Sequence, residues 1–162
     1  MKNMFFYEYD FCNQKLPKIV IGEENGKINK VQFINESAKT DFVKRETELI
    51  KSAAKQLDEY FIKKRKLFDL PLVLNGTDFQ IRIWKALQTI PYGETRSYGE
   101  IAAMTGNPKA SRAVGNANNR NPIQIIIPCH RVIGHDGSLT GYAAGLEIKK
   151  KLLELENRQD SD

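Results

Sequence analysis

The run from Lys18 to Phe33 constrains this chain most, because its β-branched and aromatic residues are broken once, by Glu24-Asn25-Gly26-Lys27. Asn and Gly both tolerate positive φ, so an Asn-Gly pair between two such segments dictates a tight hairpin. An apolar segment from Met4 to Phe11 precedes it, and strands therefore come first. From Asp41 to about Lys64 the spacing becomes helical, with Leu49, Ile50, Ala53, Leu57, Tyr60 and Phe61 on one face, and such a helix covers the sheet. The cations Lys63-Lys64-Arg65-Lys66 at its end read as complements of the helix macrodipole rather than as a nucleic-acid patch. Phe68 to Leu74 reads as a further strand, placed at an edge by Pro71.

A chain of 162 residues buries one good core or two small ones. Asn75-Gly76-Thr77 reads as the linker between two domains, 1–75 and 76–157, followed by a polar tail, 158–162. The second domain opens with an amphipathic helix from Asp78 to Ile90 that turns Phe79, Ile83, Trp84 and Leu87 inward and stops at Pro91-Tyr92-Gly93. Ser97-Tyr98-Gly99-Glu100 is a capping box that starts a second helix through Ile101, Ala102 and Met104, ended by Gly106. Asn107-Pro108 supplies an N-cap and a first-turn proline for a third helix, from Pro108 to about Asn118. Two short helices joined through a glycine outline a helix-turn-helix. The later helix is shaved to Ala110, Ser111, Ala113, Gly115 and Ala117 around one bulky cation, Arg112. A helix so trimmed suits close approach either to a narrow DNA groove or to another helix.

Charge limits the partners only loosely: 25 Lys and Arg against 20 Asp and Glu leave a net charge of +5, compatible with a polyanion without requiring one. The two cysteines, Cys12 and Cys129, are far apart and cannot build a disulfide framework or a four-thiolate zinc site, so no metal and a reducing compartment are expected. Glu8 and Asp10 interrupt the apolar N-terminus before it reaches signal-peptide length, and no stretch approaches a membrane span. A cytoplasmic location without membrane contact is the expectation.

Asn121-Pro122 closes the helical region, and Ile123 to Ile127 reads as a short buried strand delivering the chain to Pro128-Cys129-His130-Arg131-Val132. A lone buried cysteine is inert by default; an adjacent imidazole makes this one a candidate nucleophile, since only the thiolate attacks. Neighbours on a strand point to opposite faces, so contact between thiol and imidazole needs a local turn or a bridging water. His130 and His135 are the only histidines, and a cysteine hydrolase would have to recruit one of them from this same short segment, an awkward arrangement for that class.

Pro128-Cys129-His130-Arg131-Val132, with Asn121-Pro122 and Arg112-Ala113-Val114-Gly115 before it, resembles the active-site region of O6-alkylguanine-DNA alkyltransferases, also called methylated-DNA-protein-cysteine methyltransferases. The likeness runs from about Gly76 to Glu156 and takes in Phe79 to Trp84, Ile90 to Thr95 and Gly141 to Leu146. It implies an α/β (α+β) fold: a small N-terminal ribonuclease-H-like sheet-plus-helix domain, and a mostly helical C-terminal domain with a helix-turn-helix and a short active-site strand. It implies stoichiometric, irreversible transfer of an alkyl group from O6-alkylguanine in double-stranded DNA, by a monomer without cofactor, after the base is flipped from the minor groove. O4-alkylthymine stays open as a second substrate.

Carried over by position, Cys129 is the acceptor, His130 takes its proton through a water, and Glu156 holds the histidine. Tyr98 crowds the phosphate and protonates the departing base, while Asn121 braces the turn between helix and cysteine. Arg112 fills the space of the flipped base, and Ala110, Ser111, Ala113, Gly115 and Arg131 join it and Tyr98 in facing DNA. Pro128, Tyr142, Ala143 and Ala144 form the alkyl pocket, which Ala144 narrows where the family more often has glycine. Two other classes remain beside this one: an alkyltransferase-like damage-binding module, against which Cys129 argues, and a helix-turn-helix regulator in which Cys129 is incidental.

Overall fold

The computed structural model describes residues 3–11 and 15–157. Cys12 and the tail from 158 lie outside these residues, and with them the expectations placed on them. Two compact units are present: Met1–Asn75 with Pro122–Gln124, and Gly76–Asn121 with Ile125–Asp162.

In the first unit, strands β1 (Met4–Tyr9), β2 (Lys18–Glu24), β3 (Lys27–Ile34) and β4 (Val43–Lys44) form one sheet in the order β3-β2-β1-β4. The β2–β3 hairpin turns at Asn25 (φ 50°) and Gly26 (φ 79°), the left-handed pair that this dipeptide supplies at least cost. Ile19, Val20 and Ile21 are buried in succession, which makes β2 a fully covered central strand. Helix α1 (Glu48–Phe61) buries Ile50, Ala53, Leu57, Tyr60 and Phe61 of the face expected from its spacing, while Leu49 is half-buried. It starts seven residues later than expected, because Thr47 Oγ1 caps the Ile50 amide while Val43–Lys44 pair in parallel with Phe5 and Phe6. The cations 63–66 lie beyond the last helical turn, where Arg65 reaches the Leu67 carbonyl and Glu59. The expected strand from Phe68 to Leu74 reduces to one bridge, Leu72 to Ile28: Pro71 lends its carbonyl to the Ile28 amide but has no N–H to extend the ladder.

In the second unit, helix α2 (Asp78–Leu87) is started by a capping box of Thr77 and Gln80. It ends three residues before Ile90, and of its expected inward face Ile83, Trp84 and Leu87 are buried while Phe79 is half-buried. A Cβ at Gly76 would lie 2.7 Å from the Trp84 ring, so glycine is needed there for the chain to enter the helix. The two-residue strand β5 (Arg96–Ser97) leads into α3 (Tyr98–Met104), which carries its own capping box, Ser97 with Glu100. Gly106 (φ 95°) turns the chain towards α4 (Ser111–Asn119), completing the helix-turn-helix. Here α4 starts three residues later than expected: Asn107 Oδ1 accepts from the Lys109 amide and the Asn107 carbonyl from Ala110, so Asn-Pro closes a turn instead of capping the helix. Trp84 Nε1 donates to the Ala117 carbonyl at 2.9 Å and ties α4 to α2.

No strand precedes the cysteine. Ile123 makes a single bridge to Val31, and Ile125 adopts φ 69°, a left-handed conformation costly for a β-branched residue and incompatible with an extended run. The short strand of this region follows the cysteine instead: β6 (Val132–Ile133) pairs in parallel with β5. Helix α5 (Leu146–Asn157) closes the unit. Among the described residues no helix is long and apolar enough to cross a membrane.

Candidate active site

Cys129–Arg131 forms one turn of 3-10 helix, closed by the Arg131 amide on the Pro128 carbonyl at 3.0 Å. This is the local turn that a cysteine-histidine pair required, and it is held from several sides. Asn118 Nδ2 donates to the Cys129 carbonyl at 3.2 Å, and Asn121 Nδ2 to the Ile127 carbonyl at 2.7 Å. Asn118 in the last turn of α4 and Asn121 just beyond it thus fix the backbone on either side of Pro128.

Helix α5 supplies the rest through its buried face, Ile148, Lys149, Leu152 and Glu156, spaced as successive turns of one stripe. Glu156 Oε2 lies 2.6 Å from His130 Nε2, with both side chains at 1 % exposure or less. Arg131 forks onto the same carboxylate, Nε to Oε1 at 2.8 Å and one terminal nitrogen to Oε2 at 3.1 Å, and its other terminal nitrogen donates to the Ile90 carbonyl at 2.7 Å. Arg131, expected among the DNA-facing residues, is therefore corrected to a buried structural cation. A buried guanidinium forked onto a carboxylate is turned inward, away from any phosphate.

Charge follows from this packing. Burial pushes the Glu156 carboxyl up, but His130 and Arg131 outweigh it and hold the group at about 2, so it is a carboxylate that only accepts. Burial pushes His130 below its ordinary 6.5 despite Glu156, which leaves the ring neutral. The proton of a neutral ring facing an acceptor must sit on Nε2, and the lone pair is then on Nδ1. Nδ1 is buried and has no hydrogen-bond partner among the described residues.

Cys129 is 3 % exposed and free. Burial pushes its thiol up to about 11, against the lowering influence of Asn121, the Lys149 charge and Tyr142. The same burial, with the thiol beside it, raises the Tyr142 hydroxyl well above its usual range. Tyr98 donates to the Thr140 carbonyl at 2.8 Å, at the start of the segment that carries Tyr142.

The fold thus brings Cys129, His130, Glu156, Asn121 and Tyr142 together. Pro128 is buried beside them, Ala144 is half-buried and Ala143 exposed. On α4 and its entry, Arg112 and Ala113 are exposed, while Ala110, Ser111 and Gly115 are half-buried. A cavity of about 370 Å³ lined by Gly93, Thr95, Ile133, Leu139, Leu153 and Glu154 reaches Glu156, but its lining includes none of Cys129, Pro128, Tyr142, Ala143 and Ala144. Sequence reasoning missed Asn118, the Ile90 carbonyl and Lys149. A lysine on the apolar stripe of α5, seven residues before Glu156, was the available signal for Lys149. No group of three or more Asp, Glu, His or Cys side chains able to hold a metal ion occurs among the described residues.

The DNA-binding domain of 6-O-methylguanine DNA methyltransferase matches residues 78–158, and the ribonuclease-like domain of the same proteins matches 9–74. The methylated-DNA–protein-cysteine methyltransferase of Methanosarcina acetivorans is 54 % identical over 144 residues, covering 86 % of this chain and 91 % of that one. The crystal structure of Mycobacterium tuberculosis O6-methylguanine methyltransferase superposes with a TM-score of 0.88 at 43 % identity, over 98 % of this chain and 96 % of that one. The Mycobacterium tuberculosis OGT in complex with DNA gives 0.86 at 45 % identity, over 94 % and 92 %. The chain belongs to the 6-O-methylguanine DNA methyltransferase family, the methylated-DNA–protein-cysteine methyltransferases.

Proposed function

We propose that this protein repairs duplex DNA by moving the alkyl group of O6-alkylguanine onto Cys129, once per molecule and without a cofactor. The observation that carries the reading is the arrangement around the 3-10 turn: a buried thiol beside a neutral histidine whose Nε2–H is held by Glu156, leaving Nδ1 free to accept a proton. The family match supplies the substrate class, and the complex of the Mycobacterium tuberculosis protein with DNA supports DNA as partner.

In the transfer, a water passes the sulfur's proton to His130 Nδ1. The thiolate attacks the alkyl carbon in line, the C–S bond forms as the C–O6 bond breaks, and the electron pair stays on the guanine. Tyr98 gives the guanine a proton, because a neutral base leaves more readily than its anion; exchange with solvent then restores both groups. The thioether has no easy leaving group, which makes the step final. Flipping the base costs a few kcal/mol of stacking, which the exposed Arg112 offsets by entering the stack from the minor groove. Asn121, on the Ile127 carbonyl and beside the thiol, links α4 to the site.

Incubation with a duplex carrying O6-methylguanine, followed by proteolysis and mass spectrometry, tests the reading. The Cys129 peptide should gain one methylene's mass, one equivalent per chain, and Cys129→Ala should still bind the DNA but repair nothing. Repair of many lesions per molecule, or a Cys129 peptide of unchanged mass, would overturn it. An oligonucleotide carrying O4-methylthymine in the same assay decides whether that base is a second substrate.

A further inference from the structure

The hydroxyl of Tyr98 makes two hydrogen bonds, and both go to one residue. It donates its proton to the Thr140 carbonyl at 2.8 Å, and its oxygen accepts from Thr140 Oγ1 at 3.4 Å. The surroundings hold this pair in place. Tyr98 opens α3 directly after the Ser97 N-cap, so the capping box fixes its backbone. Its ring runs past Gly115 of α4, where an added Cβ would lie 3.8 Å from two ring carbons. On the other side Lys149 Nζ donates to the same Thr140 carbonyl at 2.7 Å, and Gly141 turns the chain at φ 52°.

The two bonds have opposite senses. A carbonyl has two lone pairs, and here Tyr98 and Lys149 take one each. When the phenol turns away, Lys149 keeps its hold, so the Tyr98 proton can go to another acceptor without leaving that carbonyl unpaired. The Thr140 hydroxyl instead donates to the oxygen from which the proton departs. A donor aimed at such an oxygen stabilises the negative charge that builds there. Among the described residues no other group donates to the Tyr98 oxygen. Any residue at position 140 offers the carbonyl; the threonine adds the hydroxyl. Thr140 is exposed and Tyr98 half-buried, so the bond is weak while water reaches it. A duplex docked on the helix-turn-helix excludes that water and strengthens it.

We propose that Thr140 is a positioning residue for the proton donor: its carbonyl keeps the Tyr98 proton until the damaged base arrives, and its hydroxyl then holds the phenolic oxygen as the proton passes to the guanine. The O–H bond of Tyr98 breaks as an N–H bond of the departing base forms, and the electron pair stays on the phenolic oxygen. Thr140 donates a hydrogen bond to that oxygen without giving up its own proton, and solvent later restores Tyr98.

The inference rests on the repair reading, in which Tyr98 protonates the base. Single-turnover methyl transfer and duplex affinity are measured for the full-length chain and for Thr140→Val, Thr140→Ala and Thr140→Ser, with thermal melts confirming folding. Two duplexes are compared, one carrying O6-methylguanine and the other O6-methyl-8-azaguanine. The extra ring nitrogen of the second stabilises the departing anion and lessens its need of a proton. Loss of the hydroxyl in the Val and Ala variants should slow transfer from O6-methylguanine by about tenfold, with duplex affinity unchanged. On the 8-aza duplex the same variants should lose no more than about twofold, and Thr140→Ser should keep the unaltered rate on both. Equal slowing on the two duplexes would mark a purely structural role and overturn the proposal, as would an unchanged rate on O6-methylguanine or a loss confined to affinity. A tenfold slower Thr140→Ser would overturn it even if the other two variants fail to fold. Absence of transfer in the unaltered chain would overturn the repair reading and this inference with it.

Discussion

In the first unit the buried polar side chains are Glu23, Glu24, Gln56 and Gln124; in the second they are Asn118, Asn121, His130, Arg131, Lys149 and Glu156. In the first unit Glu24 Oε2 accepts from the Asn75 side-chain amide at 2.8 Å, and the two glutamines serve the backbone. Gln56 exchanges two hydrogen bonds with Asp69, and Gln124 Oε1 accepts from the Phe33 amide. Those of the second unit include four ionisable groups gathered on a three-residue turn and one helix face, around the cysteine proposed as acceptor. Burying ionisable groups stabilises a fold poorly, and an apolar replacement often does as well. The contrast teaches that the second unit gathers His130, Arg131 and Glu156 into one connected cluster, at an electrostatic cost, while the buried polar side chains of the first make no bond to one another.

The sharpest way to break this contrast is to remove one partner in each unit. Arg131→Met should lose about 3 to 5 kcal/mol in urea denaturation, because part of the Glu156 charge is left buried without compensation. Gln56→Leu should lose only about 1 kcal/mol, since Asp69 is exposed and its backbone groups can return to water. Equal losses would erase the difference between the units. Methylation of Cys129 comes next: a methyl group added beside Asn121 and Tyr142 overpacks the site and should lower stability by about 1 to 3 kcal/mol. An unchanged melting temperature in the repaired-out protein would refute this.

Acid should then act through the second unit. His130 titrates below 6.5 in the folded chain, so beneath that pH the unfolded chain takes up a proton that the folded one refuses, and stability falls. Glu156 works in the same sense: its stabilisation is present above 4.5 and is lost as pH drops towards about 2. Melting temperatures between pH 7.5 and 4 should decline, and His130→Gln should flatten the upper part of that curve. The smallest expected effect is on selectivity. With Ala144 in the alkyl pocket, as the family likeness implies, Ala144→Gly should speed benzyl transfer by up to about tenfold relative to methyl, measured on paired oligonucleotides. Equal benzyl and methyl rates in the unaltered chain would show that Ala144 does not narrow the pocket.

Legibility followed the range of the interactions. The Asn25-Gly26 turn, the buried face of α1 and the Ser97–Glu100 capping box are local, and their residues announce them. Errors fell where a distant partner competed with a local preference. Val43–Lys44 continued a helical pattern but pair with β1, and Asn107 offered an N-cap but closes its own turn. Ile123 to Ile127 had strand composition, yet Ile125 is left-handed and the run makes isolated bridges without forming a strand. At the site the motif pointed to Cys129 and His130, and Glu156 followed only from the family likeness. Arg131 was misplaced because an arginine beside a DNA-facing segment looks the same in sequence whether it meets phosphate or carboxylate.

Residue order alone settled the hairpin, the Ser97–Glu100 capping box and the single cysteine-histidine pair, since each depends on neighbours within a few positions along the chain. Packing alone decided which atoms became charged. Only when α5 lies against the 3-10 turn do His130 and Arg131 hold Glu156 ionised down to about 2 despite its burial, and only there is Lys149 enclosed on the carbonyls of Val132, Thr140 and Gly141. Desolvation and Coulomb forces depend on what surrounds a group in space, and that is set by residues far away in the chain.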